Sequence, residues 1–262
     1  MAMRFFAIMA VGALLTSGCT TTTSRGYWGQ GIAWPNGGRL GQAAVSAAKD
    51  PQTWVPLAGA AVIGIGGWDN DISDWAVDNT PIFGNNADDA SDTLRTISTG
   101  AWVVTGLLTP ADSLESRAKG FLVQGSALAI EQGTVQGLKS LIGRERPNGA
   151  DSKSMPSGHA SSSSVSAGLA ATNLAYIDMP GWTRTTMQIG LYGTAAATGW
   201  ARVEAAKHYP TDVLVGYAIG QFVARFMHDA FFNDQHSDGM DTAVVFRPLP
   251  GGGALTVAVP LP

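Results

Sequence analysis

Apolar residues recur at helical spacing over most of the chain. Strand patterns are nearly absent among the Gly- and Ala-rich apolar stretches, which lie near residues 53–67, 97–108, 114–143, 159–176, 184–206 and 211–231. Five prolines fall between these stretches and not within them, as expected at helix boundaries: Pro110, Pro147, Pro156, Pro180 and Pro210. The pattern therefore predicts an all-α domain over residues 42–235, built as a bundle of about six helices.

The remaining segments have other patterns. Near the C-terminus, residues 242–246 and 254–259 flank a Pro-Gly-Gly-Gly turn, which predicts a short β-hairpin within residues 236–262. Residues 19–41 mix Gly, Pro and aromatic residues without periodicity, and we expect them to form a tether. Residues 69–92 contain seven aspartates, which predict an acidic, solvated loop. Their spacing does not match a calcium-binding loop.

The first nineteen residues resemble a bacterial lipoprotein signal. Arg4 precedes an apolar run over residues 5–15 that is too short to span a bilayer, and small residues close the run at Cys19. We expect that residues 1–18 are a signal peptide and that Cys19 becomes lipid-modified. Because Thr20 and not Asp follows, the expected address is the outer membrane, facing the periplasm. An ordinary signal peptide with a chance cysteine is the alternative.

Composition narrows the range of partners. The 262 residues carry 16 basic and 20 acidic side chains, with no basic stripe that could follow a nucleic-acid backbone. Cys19 is the only cysteine, so an intrachain disulfide and a cysteine-based zinc site are excluded. Polar residues interrupt the longest apolar stretches. We therefore expect a helical domain outside the bilayer, with helices packed within lipid as the alternative.

Two short motifs predict a site for an anion. Lys139 and Arg146 are two helical turns apart, so both cations would project from one face near the end of a helix. Residues 156–159, Pro-Ser-Gly-His, open the next predicted helix. The helix dipole and free backbone N–H groups favour an anion there, and Gly158 allows its close approach.

A third motif supplies a nucleophile. His208 lies in the turn before a predicted helix, Asp212 lies in the first turn of that helix, and Arg202 lies near the end of the preceding one. Asp212 can accept a hydrogen bond from one ring nitrogen of His208, which fixes the tautomer while the other nitrogen attacks phosphorus. His159 would protonate the leaving oxygen and then take a proton from water. The cations around these imidazoles argue against a metal ion at the same place.

Together the three motifs resemble the signature of the phosphatidic acid phosphatase type 2 superfamily, which includes bacterial acid phosphatases and vanadium haloperoxidases. The resemblance covers residues 119–229 and departs from the family pattern at Ala201, where a serine is usual. It implies an all-helical core with His208, His159 and Asp212 as catalytic residues. The phosphate-binding residues that it implies are Lys139, Arg146, Ser157, Gly158 and Arg202.

The activity implied by this resemblance is hydrolysis of phosphate monoesters, or of lipid phosphates and pyrophosphates, through a phosphohistidine and without a cofactor. We expect an acidic pH optimum, because His208 must be neutral while His159 is protonated. Two alternatives differ in class. A vanadium-dependent haloperoxidase would hold vanadate in the same anion site, and a non-catalytic envelope lipoprotein would keep only the fold.

Overall fold

The computed structural model describes residues 26–232, 243–249 and 252–258. Residues 26–232 form eight α-helices, and a 3-10 helix at Gly84–Asn86 precedes the fourth of them. The α-helices are α1 Gly37–Lys49, α2 Pro51–Gly66, α3 Asp69–Asn79, α4 Ala87–Leu108, α5 Leu114–Ile142, α6 Gly158–Leu174, α7 Gly181–Glu204 and α8 Pro210–Phe231. The predicted all-α fold is confirmed for this part of the chain.

The helices α2 and α4 to α8 correspond to the six predicted stretches, whereas α1 and α3 were not predicted. α1 begins within the expected tether, where the side chain of Asn36 accepts a hydrogen bond of 2.9 Å from the backbone N–H of Arg39. The prediction of an acidic loop over residues 69–92 was wrong, because α3 and the start of α4 occupy most of it. Aspartates in the first turn of each helix stabilise the positive end of its dipole.

α6 lies at the centre of the helical unit, where it contacts α4, α5, α7 and α8. Most of its residues are buried, and its many Ser, Ala and Gly side chains allow close approach. Gly216 and Gly220 of α8 pack directly against α6, because a Cβ on either glycine would overlap with the carbonyl oxygen of Ser157 or Ser161. The start of α6 is thereby held beside the first turns of α8.

An apolar cluster supports this arrangement at the opposite end of α6. Leu169 of α6 and Met227 of α8 pack there with Trp28, which precedes α1 and is fully buried. The indole lies edge-to-face on Phe121, with ring centroids 5.2 Å apart. Burial of an indole contributes roughly 5 kcal/mol of transfer free energy. Part of the expected tether thus belongs to the helical core.

Residues 243–249 and 252–258 are described separately as two strands. β1 Ala243–Leu249 and β2 Gly252–Ala258 pair antiparallel, with Ala243 opposite Ala258. Residues 250 and 251 would connect them and lie outside the described residues, so the C-terminal hairpin stays a prediction.

The expected signal segment and Cys19 also lie outside the described residues. Within the part of the chain that is described, none of the helices combines the length and the apolar character needed to cross a bilayer.

Candidate active site

Three segments meet at the predicted site: the loop after α5, the start of α6, and the turn between α7 and α8. The backbone N–H of Ser157 donates to the carbonyl oxygen of Asp212 at 2.9 Å. The loop after α5 reaches the α7–α8 turn through Arg146, whose Nη1 donates to the carbonyl oxygen of Lys207 at 3.3 Å. Residues from all three sequence motifs therefore lie in one region of the helical unit.

His208 is held through a main-chain acceptor. Its ring is 2% exposed, and Nδ1 lies 2.6 Å from the carbonyl oxygen of Ser154. Because a carbonyl oxygen can only accept, the neutral ring carries its proton on Nδ1 and keeps its lone pair on Nε2. Burial lowers the pKa of His208 to about 2, and the nearby cations contribute in the same direction. The ring is thus neutral, with the lone pair of Nε2 available.

Asp212 does not hold His208 directly, in contrast to our expectation. Its Oδ2 atom lies 3.9 Å from Nδ1 of His208, which is too long for a hydrogen bond. Oδ2 instead accepts from the hydroxyl of Ser154 at 2.5 Å and from the backbone N–H of Tyr209 at 2.9 Å. Ser154 therefore links the two residues, with its hydroxyl on Asp212 and its carbonyl on His208. Sequence reasoning missed Ser154 because its two contacts lie more than fifty residues away.

Arg144 is a second residue that sequence reasoning missed. Its guanidinium donates to Asp212 at 2.9 Å and to Asp69 of α3 at 2.7 Å, and it lies 4.0 Å from the ring centre of Tyr209. Burial raises the pKa of Asp212, and hydrogen bonds and the positive charge of Arg144 oppose that change. Arg144 thus compensates the negative charge of a buried carboxylate and connects α3 with α8. The available signal was an extra arginine two residues before Arg146.

The three predicted cations act on the same imidazole. Lys139, Arg202 and Arg146 each lower the pKa of His208, after the larger effect of burial. The ammonium of Lys139 is mostly buried and donates to the carbonyl oxygen of Lys153 at 2.6 Å. Burial, followed by the charge of Arg146, lowers the pKa of Lys139 to about 8. His208 thus lies in a strongly positive environment, as the motifs predicted.

Arg202 has part of its guanidinium engaged and part of it free. Its Nη1 donates to the hydroxyl of Ser91 at 3.0 Å and pairs with Asp88, both at the start of α4. Its Nε is buried and has no hydrogen-bond partner within residues 26–232. A buried donor without a partner is costly, and a phosphate oxygen is an acceptor that would satisfy it.

Ser157 caps the start of α6. The hydroxyl of Ser157 accepts from the backbone N–H of Ala160 at 3.5 Å. A Cβ on Gly158 would make only ordinary contacts, 3.6 Å from Cγ1 of Val135 and 3.9 Å from Cε of Lys139. The protein itself therefore does not require glycine here, and the approach of an anion to this backbone stays a prediction.

His159, the predicted acid, pairs with a residue of α4. Its Nε2 lies 2.8 Å from Oδ1 of Asp92. Burial and then the charge of Arg202 lower the pKa of His159, whereas Asp92 raises it. The two imidazoles thus differ in their partners: a carbonyl oxygen for His208 and a carboxylate for His159.

Part of the chain is similar to known proteins. Residues 120–235 match the PAP2 superfamily. Over 124 residues the chain is 32% identical to the lipid A 1-phosphatase of Porphyromonas gingivalis, in a match that covers 45% of this chain and 26% of that protein. The chain therefore spans about a quarter of the length of this curated relative.

A solved structure shares the fold. It is the crystal structure of a transmembrane PAP2 type phosphatidylglycerolphosphate phosphatase from Bacillus subtilis, with a TM-score of 0.53 and 21% sequence identity. The alignment covers 71% of this chain and 94% of that chain. At this level of identity the likeness shows the helical architecture alone.

Proposed function

Residues 120–235 belong to the PAP2 superfamily, as the three motifs predicted, and on this premise we propose that the protein is a phosphatase that hydrolyses lipid phosphates. The observation that carries the proposal is the state of His208, a buried neutral ring with its lone pair on Nε2, which Lys139, Arg146 and Arg202 influence together. Such cations can neutralise phosphate oxygens while the ring attacks phosphorus. The name of the lipid A 1-phosphatase, to which the chain is 32% identical over 124 residues, supports a lipid phosphate as the substrate class.

The reaction that we infer has two steps and needs no metal ion. In the first, Nε2 of His208 bonds to phosphorus, the ester P–O bond breaks, and protonated His159 gives its proton to the leaving oxygen. In the second, His159 takes a proton from water, the water oxygen bonds to phosphorus, and the P–N bond breaks. Inorganic phosphate leaves, and both imidazoles return to their starting protonation states.

The pH dependence follows from the two imidazoles. His208 stays neutral throughout the useful range, because its pKa is lowered to about 2. His159 must be protonated, and burial together with Arg202 lowers its pKa below the ordinary 6.5. We expect kcat/KM to fall as the pH rises through the pKa of His159, with an optimum on the acidic side. Activity that rose steadily to pH 9 would contradict these roles.

A phosphate-release assay in EDTA tests the proposal. The panel compares phosphatidate, a polyprenyl pyrophosphate, a phosphorylated glycolipid and an aryl phosphate. We expect release from at least one lipid phosphate, and a loss of at least about 1,000-fold in His208→Ala, because the nucleophile is removed. His236→Ala is the matched control, since this histidine belongs to none of the three motifs. Unchanged release in His208→Ala, or loss of release in EDTA, would refute the mechanism.

We further propose that the protein is attached to the outer membrane through a lipid on Cys19 and faces the periplasm. The apolar run and small residues before Cys19 support this attachment. In a bacterial host, radioactive palmitate should label the wild type and not Cys19→Ala. The variant should leave the membrane fraction while it keeps its activity toward a water-soluble ester. An unlabelled wild type would refute the attachment.

A further inference from the structure

The first turns of α4 place a carboxylate on the imidazole that is expected to act as the acid. Oδ1 of Asp92 lies 2.8 Å from Nε2 of His159, and the two side chains are 60% and 25% exposed. Asp92 precedes the matched region 120–235 and belongs to none of the three motifs. The contact joins residues that are 67 positions apart in the sequence.

This contact decides which nitrogen of His159 exchanges protons with the substrate. A carboxylate only accepts hydrogen bonds, so Nε2 carries a proton that it donates to Asp92. Nδ1 is therefore the nitrogen that gains and loses the second proton. Because the hydrogen bond holds Nε2, the ring can rotate little about its side-chain bonds, and the orientation of Nδ1 is fixed.

The charges around His159 oppose its protonation except for Asp92. Burial, Arg202 of α7 and Arg95 of α4 lower the pKa of His159, and Asp92 raises it. Arg95 also lies 3.5 Å from Oδ1 of Asp92, but both side chains are well exposed, so this pair contributes little. Without Asp92, the surrounding cations would favour the neutral ring, whose single N–H is too weakly acidic to protonate a leaving oxygen.

We propose that Asp92 is a positioning residue for His159, and that the two form a carboxylate–imidazole pair that keeps Nδ1 oriented and supplied with the proton for the leaving oxygen. The inference rests on the proposed phosphatase function. The sequence predicted such a pair for His208 and Asp212, and the structure has it at the other imidazole. This placement fits the two roles, because a carboxylate favours the charged ring that an acid needs, whereas a nucleophile must stay neutral.

Two substrates with different leaving groups test the inference. An alkyl phosphate needs a proton on its leaving oxygen, whereas p-nitrophenyl phosphate releases a stable anion. In Asp92→Asn we expect kcat/KM to fall about 10- to 100-fold for the alkyl ester and less than about threefold for the aryl ester. The alkaline limb of the pH profile should move to lower pH, because the group that raises the pKa of His159 is gone.

Two further variants separate positioning from a structural effect. Asp92→Glu keeps the charge and should keep the alkaline limb near its wild-type position. Asp89→Asn removes an equally exposed carboxylate in the same helix and should change neither readout. An equal loss on both esters with an unmoved alkaline limb in Asp92→Asn would overturn the inference. A wild type that hydrolyses neither ester nor any lipid phosphate would instead overturn the proposed function.

Discussion

The two imidazoles of the site are oriented by groups of different charge. The carbonyl oxygen of Ser154 is neutral, so it fixes the ring of His208 with little support for the imidazolium form. The carboxylate of Asp92 is negative and supports a charged His159. This difference favours a neutral His208 and a protonated His159, as the proposed roles of nucleophile and acid require.

Ser154→Ala tests how Asp212 acts on His208. The change removes the hydroxyl that donates a hydrogen bond to Asp212. It keeps the backbone carbonyl oxygen that accepts a hydrogen bond from His208. We expect the free energy of unfolding to fall by about 1–3 kcal/mol, because a buried carboxylate loses a donor. kcat should fall about 10-fold as the loop carrying the carbonyl loosens. Urea denaturation and steady-state kinetics measure the two effects.

The control for this variant is Ser152→Ala, an exposed serine of the same loop. It should change stability by no more than about 0.5 kcal/mol. If Ser154→Ala behaved like this control, Ser154 would not be the link between Asp212 and His208.

Sequence spacing identified side chains whose roles follow from local structure. His208 and Asp212 flank one turn, so short-range geometry brings them together. The predicted helix face shared by Lys139 and Arg146 was wrong, because α5 ends at Ile142 and Arg146 lies in the loop that follows. Spacing could not identify Ser154 or Asp92, because their contacts join segments 58 and 67 residues apart. The hydrogen bond predicted between His208 and Asp212 failed for the same reason, since a serine from another segment takes its place.

At the scale of elements, α8 determines where α6 begins. Gly216 and Gly220 are four residues apart and therefore lie on one face of α8. The absence of side chains lets the backbone of α6 approach this face, and Ser157 then reaches the carbonyl oxygen of Asp212. The contact between the helices thus places the start of α6 beside the nucleophile.

Gly216→Ala tests this packing. The new Cβ would overlap with the main chain at Ser157, which cannot rotate away as a side chain would. We expect a loss of about 1–3 kcal/mol in stability, as is typical of an overfilled core. kcat/KM should fall about 100-fold, because the start of α6 must move. Thermal denaturation and kinetics on the same preparation provide both values.

Gly193→Ala in α7 is the matched control. A Cβ there would meet no other atom within 4 Å, so alanine should stabilise the helix by about 0.5–1 kcal/mol. Wild-type stability and activity in Gly216→Ala would show that the close approach of α6 and α8 is unnecessary.

Periodicity located the long helices and missed the short acidic one. α4 to α8 each contain seventeen residues or more, and their apolar positions repeat often enough to be recognised. α3 has eleven residues, several of them aspartates, and buries only Asp69, Ser73 and Ala76. Asp69 and Asp71 lie in its first turn, and Asp69 pairs with Arg144. A composition that is typical of a loop was therefore compatible with a helix.

For the whole helical unit, Glu131 of α5 links stability to pH. Its carboxyl is almost fully buried, and Oε1 has no hydrogen-bond partner in residues 26–232. Burial raises its pKa from 4.5 to about 7. Between these values the folded protein holds the proton more tightly than the unfolded chain, so stability decreases as the pH rises across this window.

Glu131→Gln should remove this dependence. The rise in pKa of about 2.5 corresponds to at most about 3 kcal/mol. At pH 8 the free energy of unfolding of the variant should therefore exceed that of the wild type by up to this amount. At pH 4 the two free energies should be nearly equal. Urea denaturation across pH 4–8 measures the difference, with the exposed Glu145→Gln as the control. A constant difference at all pH values would show that ionisation of Glu131 is not the cause.

The site also extends beyond the matched superfamily region. Residues 120–235 contain the three motifs, but Asp69 of α3 and Asp88 and Asp92 of α4 contact the site from earlier in the chain. The helices before residue 120 therefore help to form the candidate site, where Asp69 pairs with Arg144 and Asp92 pairs with His159.

The acceptor for Nδ1 of His208 belongs to the polypeptide backbone. Every amino acid encoded at position 154 would present the same oxygen, so no single codon change there can delete the bond that selects the nucleophilic tautomer. As long as His208 is present, the bond breaks only when the loop that carries this carbonyl moves. Natural variants should therefore lose this feature by insertion or deletion between residues 143 and 157 more readily than by point substitution.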